Sequence, residues 1–252
     1  MTPARLVWRG VPVPWVAPWS HEQTLPGRFV RQVNEDAEER LGYADEHPSD
    51  RRDGVLWVRM SVARGRGTPD FAGLHPLRQR QAMTHLLCQV CGTTTIGTRA
   101  DERHLFVLVA RGTRSAVREG ERVIVPPVHE TCALQAVEQC PHLRRGWTAA
   151  LVGWAPSWGV AGALIHPGTL DLISDPADLV EVPYEEERRL RWVYAFREAV
   201  SLHGVEPVTL ARLETEARTA RARHEIGRRP ARVRRGRDHQ ERGPPVADGW
   251  EQ

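Results

Sequence analysis

The sequence predicts an α+β protein in which a treble-clef-like metal module (knuckle, β-hairpin, helix) is embedded in a larger mixed α+β domain. Three observations lead there: the pairs Cys88-Gln-Val-Cys91 and His129-Glu-Thr-Cys132, the branched apolar runs between them, and helical periodicity just before the first pair and across the second. Two cysteines two residues apart can turn both sulfurs toward one point. Zinc takes four such donors in a tetrahedron, so a second pair is required from elsewhere in the chain.

His129 and Cys132 supply that second pair at the start of a helix read from Glu130 to about Cys140, where residues three apart share a face. Pro126 and Pro127 end the preceding strand, and the free N–H groups of the first helical turn favour a bound thiolate. The expected ligands of one structural Zn2+ are therefore Cys88, Cys91, His129 and Cys132. Cys140-Pro-His142 follows closely, but an unbroken helix rising about 1.5 Å per residue sets Cys140 roughly 12 Å from Cys132. One ion does not span that, so Cys140 is read as a buried apolar thiol and His142 as a cap or surface group. A redox dithiol and a pair of ordinary core cysteines are the alternatives for such spacing. The turn-like Gly92-Thr-Thr-Thr-Ile-Gly97 after the second cysteine favours a zinc knuckle.

Between the ligand pairs, His104–Ala110 and Glu121–Val125 are apolar and branched, separated by Arg111-Gly-Thr-Arg-Ser, and read as hairpin arms. Knuckle, hairpin and helix follow each other in treble-clef order.

The remaining elements fall on either side. Residues 1–75 form a Pro/Trp-rich segment and a strand. In it, Trp8, Trp15 and Trp19 are expected to pin extended chain to its own core. The charge cluster of Asp45, Glu46, Asp50 and Asp53 around Arg51 and Arg52 reads as a solvated turn. Gly54–Ala63 reads as a strand, and the Arg64–Phe71 loop lacks the spacing and the Lys-Ser/Thr of a phosphate-cradling loop. Residues 76–147 are the zinc-binding module, entered by a helix from Pro76 to Leu87 with Arg78 and Arg80 on a face taken as solvated. Residues 148–226 are read as a small sheet (Ala149–Trp154, Gly162–His166, Leu170–Ile173), an amphipathic helix from Tyr184 to Val200 and another from Glu206 to about Glu225. Residues 227–252 lack the apolar content to fold alone and read as a disordered basic tail.

Composition bounds the possibilities. In 252 residues, 40% hydrophobic, there is material for a packed core. No run of about 18 apolar residues or signal-like stretch occurs, so a cytoplasmic protein without membrane contact is expected. The formal net charge is +3 and every basic residue is arginine. That bias reflects codon choice in a GC-rich genome more than a surface selected for guanidinium, and it discounts the tail's potential for phosphate contacts.

The blocks VPVPWVAPWS, GYADEHPSDRRDGVLWVR, HPLRQRQAMTHLLCQVCG, PPVHETCA and CPHLRRG resemble a family of uncharacterised proteins frequent in Streptomyces and related actinobacteria, over most of residues 5 to 205. Similar proteins often read Pro-Pro-x-Cys-x-x-Cys where this chain has His129 and Cys132, which is an exchange between zinc ligands. The resemblance implies the metal and carries no activity.

Three functions are compatible with these residues. The leading expectation is a non-catalytic, zinc-stabilised binding protein whose partner is a protein or nucleic acid. An HNH-type nuclease is suggested by the run from Leu77 into the knuckle. It requires a His general base, for which only His104 is placed, and lacks the usual second histidine and downstream asparagine. A zinc hydrolase or deaminase is faintly suggested by His129-Glu130, but its signature spaces these residues differently and keeps an open metal position.

Overall fold

Short extended segments punctuated by glycine and proline dominate the chain, and long-range pairing decides where each of them lies. The computed structural model describes residues 6–109, 116–140, 142–173, 178–209, 211–215 and 218–219. Met1–Ala217 make one compact unit; of Arg218–Gln252 only the first two residues are described, so the expected tail at 227–252 lies outside the described residues. In chain order the elements are β1 (Leu6–Trp8), β2 (Val11–Val13), β3 (Phe29–Val33), β4 (Glu39–Tyr43), a 3-10 turn (Pro48–Asp50), β5 (Arg51–Arg52), β6 (Val55–Trp57), α1 (Pro76–Thr84), β7 (His104–Val109), β8 (Arg122–Val123), α2 (Glu130–Gln139), a second 3-10 turn (Leu143–Arg145), β9 (Trp147–Val152), β10 (Ser157–Leu164), β11 (Val180–Pro183), α3 (Glu187–Leu190), β12 (Val193–Ser201) and β13 (Glu206–Val208). The fold is thus mixed α+β, with several sheets and few helices. No described helix is long and apolar enough to cross a membrane.

The main sheet runs β11-β10-β12-β6-β5, with β8 also on β12, and a three-stranded sheet runs β13-β9-β7. The helix expected over Tyr184–Val200 is corrected here: only Glu187–Leu190 is helical, and Val193–Ser201 is the strand at the centre of the main sheet. Its apolar spacing fits either period. Pairing with β10 along one edge, and with β6 and β8 along the other, fixes it as extended chain with Val193, Ala195, Ala199 and Val200 buried. A strand covered on both faces reads as a near-continuous apolar run, which sequence alone does not separate from a buried helix.

The expected hairpin between His104–Ala110 and Glu121–Val125 is also corrected. β7 pairs with β9 over six residues, from His104↔Val152 to Val109↔Trp147, and β8 pairs with β12. The six-residue ladder buries Leu105, Phe106, Val107 and Leu108 at once, which a two-residue β8 does not match. Successive side chains point to opposite faces. Leu105, Val107, Ala149 and Leu151 therefore enter one core with the ligand cysteines, while Phe106, Leu108, Ala150 and Val152 enter another with Met83, Val200 and Leu202. Each fully buried Leu, Val or Phe contributes about 1.5–3 kcal/mol. This double coverage is why neither run alternates with polar residues. The small sheet expected after residue 147 is accordingly divided, β9 joining β7 and β10–β11 joining the main sheet. Of the helix expected from Glu206, the first residues are β13, and residues 211–215 are helical.

The first segment packs inward as its aromatics predict. Trp19 is buried, Trp8 meets it edge-on at 6.2 Å, and Val13, Ala17 and Phe71 complete the cluster. The charge cluster is the solvated turn expected only in part: Asp45 and Asp53 are exposed, while Glu46 and Asp50 are covered. Arg51 binds Glu46 at 2.8 Å with both side chains largely covered, and Arg59 clamps buried Asp50 at 3.0 and 2.6 Å while lying 4.1 Å over the Tyr43 ring. Arg78 and Arg80 likewise turn inward: Arg78 is buried against Glu22, and Arg80 stacks on Trp57 at 4.5 Å. The polar face of α1 is satisfied by partners remote in sequence, which helical periodicity does not reveal.

Candidate metal centre

The knuckle begins where α1 ends. Leu86 adopts φ +48°, the amide of Cys88 bonds the Thr93 carbonyl at 2.7 Å, and Gly92 returns its amide to the Cys88 carbonyl at 2.8 Å. This tight turn brings Cys88 and Cys91 together. Gly92 sits at φ +73°, and a Cβ there would fall 2.6 Å from the Trp15 ring. The N-terminal segment is laid along the knuckle by bonds from Trp15 to the Val90 carbonyl at 3.0 Å and from Val16 to the Gln89 carbonyl at 3.1 Å.

The second pair is delivered from the far side. Gln89 donates its backbone amide to Pro127 at 2.9 Å and its side-chain amide to Pro126 at 3.1 Å, which anchors the strand-like entry to α2 on the knuckle itself. His129 is the N-cap residue of α2 and Cys132 lies in its first turn. The His129 Nε2 faces the Thr94 carbonyl at 2.9 Å. A carbonyl only accepts, so Nε2 carries a proton and Nδ1 is the nitrogen turned toward the sulfurs, 3.3 Å from Cys91 Sγ.

The four expected ligands thus come together: their donor atoms all lie within 4.8 Å of one another, with the three cysteines buried and His129 partly so. Zinc–sulfur bonds of about 2.3 Å place tetrahedral donors about 3.8 Å apart, so the cluster has the scale of one ion's ligand set. Among the described residues it is the one group of three or more such side chains that could hold a metal ion. All four cysteines of the chain are free of disulfides.

The protons on the metal-free cluster follow from crowding. Hydrogen bonding with Cys132, Cys88 and His129 holds Cys91 far below an ordinary thiol, while Cys88, Cys91 and burial push Cys132 far above one. Hydrogen bonding to Cys88 and Cys91 raises His129 to about 10. The cluster therefore rests as a thiolate–imidazolium arrangement with protons that a metal must displace. Binding at neutral pH is expected to release protons. Affinity should rise with pH by up to about tenfold per unit for each proton displaced, as read by titration in weakly buffered solution. Affinity that does not change between pH 6 and 8 would contradict this.

The other sequence candidates fall elsewhere. Cys140 caps the C-terminus of α2 and is only partly buried, apart from the four-donor group, in keeping with an unbroken helix. His142 is exposed at the N-cap of the second 3-10 turn. Glu130, the residue a deaminase would use for proton transfer, is ion-paired with Arg99. His104 is buried on β7, with Nδ1 at 2.9 Å from the Thr95 hydroxyl. Sequence reasoning did not find Thr94 or Trp15 as parts of the centre. The glycine after Cys91 was the available signal for Trp15, since a ring can lie there only where no side chain intervenes.

Gly92→Ala is expected to destabilise the chain by about 1–2 kcal/mol from backbone conformation, with a further cost of about 1–3 kcal/mol from the collision with Trp15. Gly97, at φ +69° with open space where its Cβ would be, provides the control that shows the backbone part alone. Equal losses in melting experiments on the two variants would show that the Trp15 contact contributes nothing.

Comparison with protein-family models, with curated proteins and with solved structures finds no match.

Proposed function

We infer that the chain is a non-catalytic, zinc-stabilised binding protein, in which the ion orders a surface for a protein or nucleic-acid partner. One observation carries this reading: three buried cysteines and a partly buried histidine converge from two segments remote in sequence. Three thiolates and an imidazole suit zinc in a tetrahedron, and four protein donors close the coordination sphere, leaving no position for water or substrate. Knuckle and helix would clamp the ion in the manner of a treble clef, with a three-stranded sheet where that arrangement has a hairpin. When bound, zinc would supply cross-linking and charge neutralisation of the thiolates. Cys88, Cys91, His129 and Cys132 would hold it, and the Thr94 carbonyl would keep the imidazole aimed.

The enzymatic readings have less support. The ion pair of Glu130 with Arg99 does not suit a proton shuttle, and the hairpin that would carry a nuclease base is replaced by the β7–β9 ladder. The test is metal content per chain by mass spectrometry, with pull-down and filter binding before and after chelation. One zinc per chain and binding lost on chelation support the reading. A metal-free folded chain, or binding that survives unfolding by chelator, overturns it.

A further inference from the structure

A cavity of about 370 Å³ opens where the C-terminal end of α1, the start of β7, the turn between β9 and β10, and β12 meet. It lies within the 300–1,000 Å³ range of small-molecule sites. Its wall includes Arg52, Thr84, His104, Trp154, Ser157 and Glu198. None of these is used by the metal centre, and the polar groups among them are incompletely satisfied.

His104 is 8% exposed. The Thr95 hydroxyl has one hydrogen and donates it to the Leu86 carbonyl at 2.8 Å, so toward His104 Nδ1, 2.9 Å away, it accepts. Nδ1 therefore bears the proton. Burial holds the ring below its usual pKa and hence neutral, and Nε2 is left as a bare acceptor with no partner among the described residues. Glu198 is 2% exposed; its Oε1 takes the Ser157 hydroxyl, and the Tyr184 hydroxyl lies 3.2 Å from each oxygen, so Oε2 retains accepting capacity. Arg52 donates Nη1 to Thr84 at 2.7 Å and Nε to Asp53 at 3.2 Å, and its Nη2 has no acceptor among the described residues. Among these side chains His104 Nε2 and Glu198 Oε2 are acceptors and Arg52 Nη2 is a donor, beside the Thr84 and Ser157 hydroxyls.

At its edge stands Trp154, 64% exposed yet rigidly held. Its backbone pairs twice with His203, at 3.1 and 2.8 Å, and the His203 ring lies 5.3 Å from the indole at an interplanar angle of 37°. His203 is in turn fixed by Glu119 at 3.1 Å and Ser201 at 3.0 Å. An exposed indole supported in this way is a stacking plate for a flat ring.

We propose that this cavity binds a neutral heteroaromatic lactam of the guanine kind, stacked on Trp154, with adjacent N–H groups directed to His104 Nε2 and Glu198 and its carbonyl to Arg52. A cationic ring would face the Arg52 guanidinium, and an anionic one the Glu198 carboxyl. An aliphatic ligand would leave the indole uncovered. Adenine offers an amino group but no carbonyl for Arg52, and it presents an acceptor where two donors are needed.

Calorimetric titration of the full chain as purified, with guanosine and adenosine as probes, tests the assignment. Guanosine should bind, and adenosine at least about tenfold more weakly. Trp154→Ala, at an exposed position, should weaken guanosine about tenfold or more by removing the stack. Glu198→Gln, checked for folding by near-ultraviolet circular dichroism, should do the same by replacing an acceptor oxygen with an N–H donor. No guanosine binding at millimolar concentration, equal affinity for adenosine, or guanosine affinity unmoved by Trp154→Ala would overturn it.

Discussion

Cys88→Ser should strip the metal and unfold the chain at physiological temperature. Cys88 is fully buried in the core that also holds Leu105, Leu151 and Leu213, so serine would leave a hydroxyl in an apolar site as well as an incomplete ligand set. Structural zinc contributes about 10–16 kcal/mol of apparent binding free energy in small zinc-bound folds, against a net stability of about 5–15 kcal/mol for an ordinary domain. Losing the ion is therefore on the scale of the whole stability. The measurement is zinc per chain together with a thermal melt, for Cys88→Ser, His129→Cys and Cys140→Ser. Cys88→Ser should lose both metal and cooperative melting. His129→Cys should keep about one zinc, because a thiolate is an equivalent donor from the same N-cap position. Cys140→Ser should keep metal and melting temperature nearly intact. A Cys88→Ser chain that melts like the parent would end the structural-metal reading, and metal lost from Cys140→Ser would reassign the fourth ligand.

The second large effect is expected at the Glu22–Arg78 pair. The Glu22 side chain is completely covered and the Arg78 side chain nearly so. They meet through two bonds at 2.7 and 2.6 Å, and Glu22 also accepts the amides of Trp19 at 2.9 Å and Ala63 at 3.2 Å. One carboxylate thus fastens the N-terminal segment, the strand-to-helix loop and α1. Arg78→Met leaves that charge buried without its cation, which costs about 3–5 kcal/mol and lowers the melting temperature by roughly 6–20 °C. Glu22→Leu combined with Arg78→Met should recover a large part of the loss, since the buried carboxylate is removed together with its cation. A double variant as unstable as the sum of the single ones would show that the pair is not coupled.

The same pair sets an acid limit. Burial raises the Glu22 pKa, but the Arg78 hydrogen bonds, the Trp19 amide and the nearby positive charge outweigh it, and the net shift is downward. A carboxyl depressed in the folded state contributes stability that is present above its unfolded pKa, about 4.3, and is lost as pH falls through the folded value. Arg78→Met should therefore flatten the decline in stability below about pH 4.3, as followed by denaturant melts across that range.

Much of the candidate metal centre was legible in the sequence, because ligand chemistry acts over short spacings. Cys88-x-x-Cys91 fixes two sulfurs on one turn, His129 and Cys132 share one face of a helix start, and the helix length alone separates Cys140. Those are local constraints, and the donor cluster formed from them. The local sequence did not settle what covers each apolar run. His104–Val109 is equally suited to a hairpin with Glu121–Val125 or to the ladder with Trp147–Val152. The ladder forms because six consecutive pairs bury both faces of β7, one against the cysteines and one against the main sheet.

Tyr184–Val200 shows the same limit in another form: its aromatics fit a helical face, yet β10, β6 and β8 supply edges that only an extended chain can bond. Arg78 and Asp50 read as solvated charges until Glu22 and Arg59 arrive from elsewhere to neutralise them. The sequence by itself therefore determined the two donor pairs, the knuckle turn and the helices that flank it, since each depends on residues within a few positions. Only the tertiary structure decided strand partners, buried ion pairs and the cavity beside Trp154, because their energies reside in contacts between residues far apart in the chain.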